Sequence, residues 1–489
     1  MHLPQAVTRI DAVRFKQVPC AALVFLGMAV AACHRPVREN EADAAALLSR
    51  LATARDATQQ LNLLDALSSV HPDACGGNST ALVSGVRPLL DSEDASVAAK
   101  AGELVARWGD RTSASEIVHL LSNPNLAIRL SAIGSLATLS NPAAIPALTV
   151  ATRDPVGSVR AGACGALGAL GADAPLEPLQ QRLGDPEASV RAAAARAVGQ
   201  RRRPEEVALV LPLLRDADPG VVAAAALALG TIGDRRAVAA LVPLVATGRA
   251  GTRAAAAAAL AQIGDPGAAE PVLQLLSTDD PALHLAGIEA LTALRDPVAV
   301  EAVLGLADEV EPRVNERLPY VLAQLYNPQQ LEDWTNRLHA PSARVRATVA
   351  LALGLAGEKR AGDQLGRLLG DPNGQVRGLA AVGLGLIGAT ASPEALEQMA
   401  QREPDPEARE YVRIGTALAR QTAGDVASRL AALLADPAPQ VRMFAADALG
   451  LLRITHTLGN LRCAEQTDMD PQVRLRAKLA VLRMNGAEI

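Results

Sequence analysis

Aromatic residues are almost missing from this chain: they make up 2% of 489 residues, while apolar residues reach 49%. A core so poor in Phe, Tyr and Trp is expected to be Ala, Leu and Val on closely spaced helices, with little left to line a large ligand cavity. Lysine is nearly as scarce. Lys16, Lys100, Lys359 and Lys478 are scattered, and the formal net charge is -5, so the clustered basic footprint of a nucleic-acid binder is lacking. The seven histidines stand far apart, His119, His284 and His339 among them, and no His, Cys and carboxylate pattern has metal-ligand spacing. Neither a nucleophile motif nor a phosphate-binding glycine loop is present. On these grounds no catalytic residue, metal, cofactor or small-molecule substrate is expected.

What the chain has instead is repetition. Asp154 to Gly171 runs DPVGSVRAGACGALGALG, and close variants recur at Asp185, Asp371 and Asp436. With the small residue Gly168 as marker, steps of 31 residues lead through Ala106, Ala137, Gly168, Gly199, Gly230, Ala261, Thr292, Ala323, Gly354 and Gly385. The phase then drifts to Ala417, Gly450 and Leu482, which gives about thirteen units. A fixed period of this length predicts an all-α solenoid of stacked units in place of separate globular domains. Within a unit, Asp185 is expected as N-cap with Pro186 at the first helical position. The marker glycine either permits close approach or ends the helix, and Leu213-Leu214 belongs to the other helix of the hairpin.

Asp-Pro, Val-Arg, a small-residue run and Leu-Gly together resemble HEAT repeats of the short bacterial type, over residues 78–489. The resemblance implies a superhelix of helical hairpins. It also implies that Asp154 with Arg160, Asp185 with Arg191, Asp371 with Arg377 and Asp436 with Arg442 are structural ladders of charge pairs. Some HEAT-like proteins are hydroxylases with repeated His-Glu iron ligands or handle bilins; no His-Glu pair occurs here, and an enzyme or enzyme subunit of that kind is the alternative to a binding protein.

The N-terminus is a separate object. Arg9, Arg14 and Lys16 precede an apolar run from Ala21 to Ala32, too short to span a bilayer and of signal-peptide length. Val30-Ala31-Ala32-Cys33 resembles the bacterial lipobox, which implies a signal peptide over 1–32 and acylation of Cys33. A polar tether over 33–40 and an N-terminal helical cap over 41–77 follow. The expectation is an exported protein, lipid-anchored to the bacterial cell envelope, with Cys75, Cys164 and Cys463 left as an odd set that builds no disulfide framework. Arg201-Arg202-Arg203 is expected as a solvated basic loop, and Asp470 to Asn485, with Arg476 and Lys478 replacing alanines, as a C-terminal cap.

Positions three, six and ten after each Val of Val-Arg form a ridge on the second helix, as at Ala193, Arg196 and Gln200. In HEAT-like arrays second helices line the concave face, so a protein partner along a shallow groove is expected. One unit breaks the pattern: in Val314 to Tyr326, Asn315 replaces the structural Arg, Pro319 falls mid-helix as a kink, and Arg317, Tyr320 and Gln324 occupy the ridge. With Glu289 and Tyr411 nearby, these are the candidate partner-binding residues.

Overall fold

The computed structural model describes residues 35–70, 79–295, 298–308, 316–388, 393–421 and 424–485; the leader, Cys33, Cys75, Val314 and Asn315 lie outside them. Every regular element among the described residues is helical. The chain divides into two compact units, one ending at Ser135 and one beginning at Leu136.

The first unit opens with α1, Arg35–Thr53, and α2, Ala57–Leu67. Residues 35–40, expected as a tether, are therefore helical. Asp56 caps α2 by accepting from the backbone N–H of Gln59 at 3.0 Å. The second helices of the repeats then follow in order. They are α3 Ala95–Arg107, α4 Leu126–Leu139, α5 Gly157–Ala169, α6 Ala188–Gln200, α7 Pro219–Ile232, α8 Ala250–Ile263 and α9 Pro281–Leu294. After these come α10 Leu318–Leu325, α11 Ala343–Leu355, α12 Gly374–Ile387, α13 Pro406–Ala419, α14 Pro439–Leu451 and α15 Pro471–Met484. The first helices between them are mostly shorter and often tighten into 3₁₀ turns, as where Pro204–Glu206 and Leu211–Arg215 flank the single α turn Val207–Val210.

The apolar positions pack as the period requires: Val190, Ala194 and Val198 of α6 are fully buried, and Leu213 and Leu214 from the following first helix are buried too. The marker glycines are points of contact between neighbouring second helices. A Cβ on Gly199 would stand 2.7 Å from the Ala228 Cα, and one on Gly230 would stand 2.6 Å from the Ala259 Cα. Helices end three residues later, in a left-handed residue that recurs every 31 positions: Gly171, Arg202, Gly233, Gly264, Arg295, Gly357 and Gly388 all have positive φ. Tyr326 breaks this series, at φ -60°.

The capping expectation needs correction. In α6 the N-cap is Glu187, so Asp185 and Pro186 precede the helix, and Asp185 accepts from the Glu187 N–H at 3.1 Å in a turn of its own. Only where a second acid is present, as at Asp218, does an Asp cap the helix itself, accepting from Gly220 and Val221 N–H. Pro319 is corrected likewise. It sits in the first turn of α10, where a missing N–H costs nothing, and it starts a short helix without kinking a long one.

Candidate functional site

The repeated charges are arranged by that turn. Arg160 donates from Nε and Nη2 to both carboxylate oxygens of Asp185, at 2.9 and 2.8 Å, while its Nη1 donates to the carbonyl of Asp154 at 3.0 Å. Arg191 grips Asp216 at 2.8 Å and the Asp185 carbonyl at 2.9 Å. Arg377 pairs with Glu403 and Arg442 with Asp468, each also holding the carbonyl of its own Asp371 or Asp436. Each arginine thus binds the backbone of its own unit and the carboxylate of the next. Within a unit the arginine therefore holds the Asp carbonyl: Asp185 and Asp371 turn their carboxylates to Arg160 and Arg346 of the preceding unit, and the Asp154 and Asp436 carboxylates accept from the Val156 and Ala438 N–H of their own turns. This bidentate fork joins units and leaves no charge for chemistry. Arg201, of the basic triplet, is likewise committed to the buried Glu206 at 2.9 Å.

The ridge behaves differently along its length. Across α5 to α9, Gly165, Ala169, Arg196, Gln200, Gln262, Glu289 and Ala293 are exposed and Leu227, Thr231 and Ala258 are half-buried, but Ala193, Ala224 and Ala255, which the spacing also put on the ridge, are buried against neighbours. In α10 to α12 the equivalent apolar positions are sealed, Tyr320 at 7% exposed, Leu351 4%, Val382 0% and Leu386 1%, while Gln324 is exposed and, in α14 and α15, Asp447, Leu451 and Arg483 are half-buried. α11 buries nine consecutive residues, Ala347 to Leu355, as expected for a helix apolar on all sides.

The chain itself supplies the cover. Gln324 donates from Nε2 to the carbonyl of Leu451, 127 residues away, at 3.3 Å. Burial pushes the Tyr320 phenol well above its ordinary range, and the charges of Asp447 and Arg483 and the hydroxyl of Tyr411 act on it. Asp447 meets Arg476 at 3.2 Å and Arg483 at 3.9 Å. Burial raises the Asp447 carboxyl against both arginines, and burial together with the nearby Arg317 lowers Arg483. Arg317 in turn donates to Glu289 at 3.2 Å. The structure therefore brings the five candidates into one neighbourhood, but as a contact within the chain. Tyr320 is core and Gln324 a clasp to α14.

Asp447, Leu451 and Arg483 were missed. They occupy the same offsets from Gly450 and Leu482 as Tyr320 and Gln324 do from Ala323, so carrying the marker past the drift would have found them. Tyr326 was missed as well: its hydroxyl donates to Glu358 at 2.7 Å, and its ring stands edge-on to Trp334 at 5.3 Å. Cys164 is buried and Cys463 exposed. Among the described residues, no three His, Cys, Asp or Glu side chains gather as a metal site, and no helix is long and apolar enough to cross a membrane.

Hairpin units stacked through a glycine seam and an arginine ladder define an α-solenoid repeat protein. A family model described as HEAT repeats matches residues 83–168, 120–199, 176–258, 248–323 and 331–417, more than half of the chain. The chain belongs to the HEAT-repeat family. No curated protein matches. Among solved structures, Kap121p is 12% identical, with 91% of this chain and 57% of that one covered at a TM-score of 0.44. Importin beta is 14% identical, with 90% and 74% covered at 0.43. An engineered protein is 19% identical, with 82% and 98% covered at 0.29. The chain spans little more than half the length of Kap121p.

Proposed function

We propose that this is a lipid-anchored scaffold of a bacterial cell envelope, holding a protein partner along the concave face of the solenoid on the ridge from Gly165 to Ala293. The observation that carries the reading is the change in the sixth and tenth positions of that ridge: they are open or half-open to solvent from α5 to α9, whereas Tyr320, Leu351, Val382 and Leu386 are covered. A shallow surface of Gly, Ala, Thr and Gln, with Arg196 and Glu289 as charged points, suits a helix or extended segment of a protein. The lipobox-like run ending at Cys33 supports the anchor, for which two or more acyl chains give stable attachment.

Photo-crosslinking side chains at Arg196 and at Gln262, in intact cells, are expected to trap one and the same protein. The control at Val150, 71% exposed on a first helix, is expected to trap none. Adducts that differ between the two ridge sites, or that appear equally at Val150, would overturn the ridge assignment. For the anchor, Cys33→Ala is expected to abolish palmitate labelling and release the protein from membranes; a variant still labelled and membrane-bound disproves it.

A further inference from the structure

Composition gave no reason to expect a ligand cavity, yet one of about 680 Å³ lies where the ends of α11, α12 and α14 meet the N-terminus of the helix Val426–Leu433. Its walls include Leu355, Leu386, Ile387, Val426, Leu452 and Ile454, and its charged residues are Lys359, Asp425 and Arg429. Arg429 is 8% exposed. It stands seven residues before Asp436, where other units carry Ala147, Pro178, Leu209 or Gln364 before their own ladder Asp, so it is no part of the ladder. Its Nη1 donates to the Gly385 carbonyl at 2.9 Å. The guanidinium lies against Gly388, where a Cβ would fall within 2.1 Å of it. Other buried charges are matched, Asp185 by Arg160, Glu206 by Arg201, Glu358 by Arg360 and Glu403 by Arg377, and Arg129 holds the Asn123 and Pro124 carbonyls. None of the ion pairs among the described residues involves Arg429, and it lines the cavity. Asp425, exposed at the N-cap of the same helix, accepts from the Ser428 N–H at 2.8 Å and forms no ion pair with Arg429 among the described residues. Burying an unmatched guanidinium is costly, and a planar fork with donors facing a cavity matches a carboxylate.

We infer that this cavity binds an organic carboxylate with a compact aliphatic body, the carboxylate on Arg429 with Lys359 at the rim and the body against Leu386, Val426 and Ile454. Calorimetric titration of the full chain with 4-methylpentanoate is expected to show binding at least tenfold tighter than its neutral amide. Arg429 also ties down the end of α12, so Arg429→Met risks misfolding. The test therefore rests on Lys359→Glu, at an exposed position, and on Val426→Trp, which fills the cavity; each is expected to weaken binding at least threefold. A short peptide ending in Leu, as free acid and as amide, forms the second arm. If the free-acid peptide also binds, the ligand is assigned as a protein C-terminus; if only the small acid binds, it is a free metabolite-sized acid. No binding of the small acid at millimolar concentration, equal binding of acid and amide, or an unchanged affinity in Val426→Trp would overturn the site.

Discussion

At the scale of the residue, two glycines of neighbouring repeats separate propensity from packing. Gly165 lies inside α5 with nothing within 4 Å of where a Cβ would stand, whereas a Cβ on Gly199 would meet the Ala228 Cα at 2.7 Å and its carbonyl oxygen at 3.0 Å. Gly165→Ala is therefore expected to stabilise by about 1 kcal/mol through helix propensity. Gly199→Ala should cost about 1–3 kcal/mol, because backbone cannot yield as a side chain can. Denaturant unfolding of the two variants measures the difference, and a stabilising Gly199→Ala would mean the seam is looser than described.

Between elements, stability is tied to acid. Burial, the largest single influence, pushes Asp185, Asp371 and Asp468 upward, but the hydrogen bonds from Arg160, Arg346 and Arg442, the backbone N–H of each turn and the arginine charges together outweigh it, and all three are held below the ordinary value of 3.8. For Asp216 and Glu403 the arginine hydrogen bond is the largest influence, and both are lowered. Glu358 is held at about 2, chiefly by Arg360. A lowered carboxylate contributes stability above its unfolded pKa and loses it as pH falls through the folded one. The array is thus expected to hold from neutrality to about pH 4 and to weaken steeply below. Thermal melts from pH 2 to 6 should show that slope, and Arg191→Gln, which releases Asp216, should flatten it. Asp447 acts in the opposite sense. Raised by burial, it contributes most below 3.8 and loses that contribution as pH rises through its folded value.

The elements themselves were legible in the sequence, because one 31-residue period fixed helix count, order and seam together. The direction of the ladder was not. Asp and Arg six residues apart look like a pair, and only the turn geometry, with Asp two residues ahead of the cap, sends the carboxylates of Asp185, Asp216, Asp371 and Asp468 to the preceding unit's arginine. The site was half legible. The spacing marked Ala193, Ala224, Ala255 and Tyr320 as ridge residues, yet all four are buried, and the cover depends in part on residues more than a hundred positions away, such as Leu451 opposite Gln324. Local spacing carries no record of such a contact.

For the molecule as a whole, the irregular unit around α10 is where the exposed stretch of ridge gives way to a sealed one. Tyr320→Ala is accordingly expected to cost about 3 kcal/mol in unfolding experiments, as the loss of a buried aromatic does, while crosslinked adducts at Arg196 persist in the fraction that stays folded. An undiminished melting temperature with lost adducts would return Tyr320 to the role of a contact residue. The ladder adds a consequence for length. Because Arg160 and Arg191 use the same fork on the next acid, excising residues 185–215 would bring Asp216 to the place where Asp185 now meets Arg160. Reach along the ridge is a quantity that gene duplication can raise or lower by one period at a time, without redesign of either end.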